Sequence, residues 1–196
     1  MLVKNVFDKG PDSWCSYDYH ASVVSGRGRV FVLGHWEGEG GLNGAPYVSC
    51  EETYWTPDVP EQPQSILPFV HYRGWIGEDP IDLRDREVSV HLRGDGLDLD
   101  GGECYFWIVG PGTTMQTRWH LNSRPVDICA DAWGASPDTC RLVNDPALWH
   151  RSWTSRPDDP PSLDECLADC ESYGFSFVGF TRAVQGKLSM GSFEIG

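Results

Sequence analysis

The chain lacks the short patterns that mark much metal and nucleotide chemistry. It has no H-E-x-x-H, no C-x-x-C pair, no G-x-S-x-G elbow and no P-loop. Helix-borne zinc sites, paired-cysteine metal knuckles, the α/β-hydrolase nucleophile and phosphate-cradling loops are therefore excluded. No run is long and apolar enough to cross a bilayer as a helix. The opening MLVKNVFDKGPDSWCSYD has neither an apolar core nor a small-residue cleavage site, and no Asn-x-Ser/Thr acceptor occurs. Basic residues are scarce, 15 Lys and Arg against 29 Asp and Glu, giving a formal net charge of −14. Such a surface repels phosphate backbones and anionic lipid headgroups, so neither nucleic acid nor a membrane is expected as a partner. Seven cysteines are an odd number. With no signal segment in view, reduced thiols in a cytoplasmic protein are expected.

What is present points to an all-β chain. Its 196 residues suit one domain, and 22 glycines and 14 prolines are spread along it, as many short strands joined by turns require. The expected architecture is a single antiparallel two-sheet, jelly-roll-like sandwich over 1–196. Residues 27–37 (RGRVFVLGHWE) are apolar on both faces and predict a central strand. Residues 38–64, rich in Gly and Pro, predict a long loop. Segments 86–94, 103–110 and 115–122 alternate with period two and are spaced as a meander or part of a jelly roll. One helix is signalled over 162–172. Ser162 and Glu165 form a capping box, and Leu163, Cys166, Leu167 and Cys170 make an apolar stripe.

The order of features in the C-terminal half is DLRDREVSVHLRGDGLDL (82–99), ECYFWIV (103–109), NDPALWHRSW (144–153), SLDECLADCESYGFSFVGF (162–180) and LSMGSFEI (188–195). Over residues 82–195 this resembles the laminin IV type A (laminin B) domain and related concanavalin-like, carbohydrate-binding β-sandwiches. Gly191-Ser192 stands where an Asp-Asn pair is commoner in such domains. The resemblance implies a jelly-roll-like sandwich and glycan recognition. Its extracellular setting is not matched by the thiol count or the N-terminus.

Three segments carry His and Arg two residues apart: His71 and Arg73, His91 and Arg93, Arg118 and His120. Residues two apart in a strand share a face. Val88, Val90 and Leu92 must take the core side of one strand, Trp119 and Leu121 that of another. His91, Arg93, Arg118 and His120 then emerge on the reverse side. Joined by Tyr105 and Trp107, they are expected to form one polar, aromatic patch. Arg forks grip oxygens, imidazoles move protons near neutral pH, and aromatic faces stack on sugar rings. Glu103 shares the parity of Tyr105 and Trp107 and is the preferred carboxylate. Asp18 and His20 also share a face, at the spacing with which a carboxylate orients an imidazole. Asp95, Asp98 and Asp100 lie on a glycine-rich turn (95–103) that fits a solvated hairpin better than a calcium loop.

Two functions follow. One is a binding module that holds a carbohydrate or small polar ligand through His71, Arg73, Arg93, Tyr105, Trp107 and Arg118. The other is a cofactor-independent lyase, isomerase or hydrolase with His91, His120, Glu103, Asp18 and His20 as acid–base groups. Neither requires a metal or cofactor.

Overall fold

A computed structural model describes residues 2–18, 31–51, 66–112, 116–180 and 184–196. Fourteen strands are described: β1 (Val3–Asn5), β2 (Trp14–Asp18), β3 (Phe31–Leu33), β4 (His35–Glu37), β5 (Tyr47–Glu51), β6 (Ile66–Tyr72), β7 (Glu87–Asp98), β8 (Glu103–Gly110), β9 (Thr117–His120), β10 (Cys129–Ala130), β11 (Asp138–Arg141), β12 (His150–Thr154), β13 (Ser172–Val178) and β14 (Gln185–Ile195). The helix α1 (Leu163–Ala168) lies against β8 and β9. The strands form two seven-stranded sheets. Sheet I runs β10-β7-β14-β5-β4, with β11 also on β7 and β1 also on β14. Sheet II runs β12-β9-β8-β13-β6-β2-β3. Pairing is antiparallel except for the short β10–β7 contact. The protein is an all-β sandwich with one short helix.

Alternation builds the core. Val88, Val90 and Leu92 of β7 meet Leu188, Met190, Phe193 and Ile195 of β14, Phe106 and Ile108 of β8, and Tyr173, Phe175 and Phe177 of β13 in one buried cluster. A register shift between Met190 and Ser192 turns both Met190 and Phe193 inward although they are three residues apart. Trp14 lies at the aromatic centre, edge-on to Phe193 at 4.9 Å and stacked on Phe175 at 6.3 Å. A smaller apolar cluster, Cys15, Leu67, Val70, Trp107 and Val109, with Tyr72 against it, lies on the other side of sheet II.

Three local expectations are corrected. Phe31–Glu37 is not a central strand: it breaks at Gly34 into β3 and β4, which form an edge of sheet II and an edge of sheet I respectively. Apolar residues on both faces here reflect a chain changing sheets, with Gly34 N–H bonded to the Trp14 carbonyl at 2.9 Å. Within the expected loop, Tyr47–Glu51 is a strand between β4 and β14; residues 52–64 of that loop lie outside the described residues. β7 and β8 are not neighbours in a meander, since β7 belongs to sheet I and β8 and β9 to sheet II. The helix begins where expected but ends at Ala168, short of the expected 172: Cys170 lies outside it, bridged to Ile81, and β13 starts at Ser172. The Ser162 hydroxyl accepts from Glu165 N–H, the Glu165 carboxylate accepts from Ser162 N–H, and Leu163, Cys166 and Leu167 are buried. All seven cysteines are free thiols, five of them buried.

Candidate functional site

Two cross-strand rows on the outer side of sheet II build a cavity. One row runs Trp153, Arg118, Val109, Ser172, Tyr72 across β12, β9, β8, β13 and β6. The next runs His150, His120, Trp107, Gly174, Val70, Cys15. Trp107 is the floor. Its indole reaches over Gly174, where a Cβ would come within 3.1 Å of the ring and collide with the Phe69 carbonyl oxygen. Above it opens a cavity of about 220 Å³ lined by Leu67, Tyr72, Trp107, Val109, Gln116, Arg118 and Trp153. Tyr72 stacks on Trp75 at 4.4 Å and 17°, extending the aromatic surface beyond the cavity. The arrangement is apolar with a few placed polar groups, as small-molecule sites are built.

Those polar groups are tied to one another. Arg118 Nε donates to Ser152 Oγ at 3.1 Å, and Ser152 Oγ lies 2.9 Å from His120 Nδ1. Ser152 Oγ also lies 3.4 Å from the Arg118 carbonyl oxygen, a second acceptor for its proton. His120 is fully buried. Burial first, then the Arg118 and His150 charges, hold its pKa well below the ordinary value, so it is neutral. Gln116 Nε2 donates to Glu171 Oε2 at 3.2 Å. Burial raises the Glu171 pKa, against hydrogen bonds from Ser172 and the Gly74 backbone.

The expected single patch divides between the two sheets. Tyr105, Trp107, Arg118 and His120 share the outer side of sheet II, and Trp107 and Arg118 line the cavity. Tyr105 donates a short hydrogen bond to Glu103, away from the cavity lining. His91 and Arg93 project from sheet I, on the opposite side of the sandwich. Strand parity gives the correct side of β7 and β9, but it carries no information about which sheet a strand joins. His91 Nδ1 lies 3.0 Å from Ser192 Oγ, beside a smaller cavity of about 140 Å³ lined by Asp127, Cys129 and Asp138 among others. Arg93 is locked: Nε pairs with Asp95 at 2.9 Å, Nη1 donates to the Gly40 carbonyl, and the guanidinium lies 4.5 Å from the Trp133 ring centre and 5.2 Å from that of Tyr47. Trp133 packs over Gly191, where any Cβ would meet its ring at 2.9 Å.

His71 faces the core, stacked on Tyr173 at 5.2 Å and 2°. Arg73 does not continue its parity, because β6 ends at Tyr72 and Arg73 takes αR backbone angles into a 3-10 turn. It pairs with Glu78 at 2.8 Å and donates to the Asp79 carbonyl. Asp18 ends β2; His20 lies outside the described residues. In the 95–103 turn, Asp95 is held by Arg93 and by Lys187 at 3.5 Å, and Asp98 Oδ1 caps Asp100 N–H. Among the described residues, no three His, Cys, Asp or Glu side chains gather as metal ligands. Leu67, Tyr72, Gln116, Trp153 and Glu171 were not foreseen. Only Tyr72 and Trp153 carried a signal, as aromatics in alternating stretches.

No family model matches the chain, and no curated protein matches it. Among solved structures it is similar to the N-terminal CBM22-1 and GH10 modules of the Clostridium thermocellum endo-1,4-β-D-xylanase 10B, complexed with xylohexaose. The TM-score is 0.55 at 11% identity over 100% of this chain and 28% of that one. The chain thus spans little more than a quarter of that protein's length, and the likeness is one of fold.

Proposed function

We propose that this domain is a carbohydrate-binding β-sandwich that holds its ligand in the cavity on the outer side of sheet II, without a cofactor. The observation that carries this reading is the cavity: Tyr72, Trp107 and Trp153 around Gln116 and Arg118. Aromatic faces pack on the C–H faces of sugar rings, while an amide and a guanidinium reach the hydroxyls. The fold likeness to a chain holding a carbohydrate-binding module, solved with xylohexaose, supports it. A net charge of −14 favours a neutral glycan over an anionic one. The seven free thiols support residence in a reducing compartment.

The test is calorimetric titration with xylo-, cello- and manno-oligosaccharides. Trp153 is 36% exposed, so Trp153→Ala leaves the fold intact. It is expected to weaken the best glycan at least tenfold. Absence of binding to every glycan, or equal affinity of the variant, overturns the reading.

A further inference from the structure

We infer that the cavity reads a hydroxyl of its ligand through Gln116, whose side-chain carbonyl is held toward the ligand by the buried carboxylate of Glu171. The inference rests on the carbohydrate reading above and adds which ligand group is recognised and what orients its partner. Gln116 immediately precedes β9. Its backbone carbonyl accepts from Ser155 N–H at 2.9 Å and from Ser155 Oγ at 3.1 Å, which fixes it at the cavity wall. Glu171 immediately precedes β13. Its N–H donates to the Val109 carbonyl at 2.9 Å, its carbonyl accepts from Arg73 N–H at 3.1 Å, and it is 1% exposed. Gln116 lines the cavity and Glu171 does not, so a ligand meets the amide with the carboxylate behind it. A carboxylate has acceptors only, whereas an amide has donors at one end and an acceptor at the other. Gln116 Nε2 donates to Glu171 Oε2 at 3.2 Å, so the amide cannot turn over without setting oxygen against oxygen. Among the described residues, none donates to Gln116 Oε1. The lining therefore offers an acceptor at Gln116 alongside the donors of Arg118. A sugar hydroxyl both donates and accepts, and so suits either group. An ether oxygen or a carboxylate only accepts and would leave Oε1 unpaired.

The experiment is calorimetric titration with xylohexaose, cellohexaose and mannohexaose, with melting temperatures as a check on folding. On the glycan that the wild type binds most tightly, Gln116→Leu is expected to lose about tenfold. Gln116→Lys still gives Glu171 a donor but offers the ligand no acceptor, and is expected to lose as much. Glu171→Gln frees the amide to turn. It is expected to lose about threefold on its own and nothing further when combined with Gln116→Leu. In the free protein, Glu171→Gln is also expected to move the Gln116 side-chain amide protons upfield in ¹H–¹⁵N spectra. Gln116→Lys binding as the wild type does, equal losses from Glu171→Gln in both backgrounds, or unmoved amide protons overturn this inference and leave the cavity reading standing. Should Glu171→Gln not fold, the two Gln116 variants decide alone. Failure of the wild type to bind any of the three glycans overturns both.

Discussion

At the residue scale, the buried His71 writes a pH dependence into stability. Burial, then the Arg73 charge, lowers its pKa from 6.5 to about 4, against a hydrogen bond with the Asp12 backbone. Between those values the unfolded chain binds more protons than the folded one. Stability is therefore whole above pH 6.5 and falls as the pH drops toward 4. From pH 7 to pH 5 this residue alone removes about 2 kcal/mol. His71→Phe keeps a ring against Tyr173 and cannot titrate, so its urea midpoint should fall less over that interval than the wild type's. Equal falls contradict the assignment. Gly174 is a second single-residue constraint. Gly174→Ala forces a Cβ into the Phe69 carbonyl and the Trp107 floor and should cost about 3 kcal/mol in urea unfolding. A change within about 0.5 kcal/mol contradicts the packing described.

At the element scale, α1 depends on its first turn, because six residues make too short a helix to persist on propensity alone. Ser162→Ala removes the acceptor of Glu165 N–H and should destabilise the protein by about 1 kcal/mol, read as a shift in the urea midpoint; no shift would show the cap to be idle. This helix was legible in the sequence because its signal is local: a capping box followed by Leu163, Cys166 and Leu167. The inward sides of β7 and β9 were legible for the same reason, since period two is a property of one strand. The partners of those strands were not. β7 bonds to β14, about a hundred residues on, and nothing local in REVSVHLRG separates sheet I from sheet II. β5 was hidden by the Gly and Pro on either side of it. Tyr72 was obscured by reading His71 and Arg73 as a pair, although the strand stops between them.

At the scale of the molecule, the sandwich has two unlike outer sides. On sheet I, Trp133 lies on Arg93 and over Gly191, His91 borders a cavity of about 140 Å³, and another of about 300 Å³ opens among Gly94, Leu97, Leu99, Ile128 and Asp131, with no Phe, Tyr or Trp among the described residues lining either. On sheet II the cavity above Trp107 is open between Trp153 and Tyr72. His91 and His120, expected together, are divided by the core, and His120 is neutral and tied to Ser152. What sheet II offers a ligand is therefore aromatic surface with an amide and a guanidinium. The most direct measurement is ¹⁹F NMR of the 5-fluorotryptophan protein titrated with xylohexaose or cellohexaose, with signals assigned by single Trp→Phe variants. The account predicts shifts at Trp153 and Trp107, which line the cavity, with Trp133 on sheet I unmoved. Shifts at Trp133, or none at any tryptophan under saturating glycan, would contradict it.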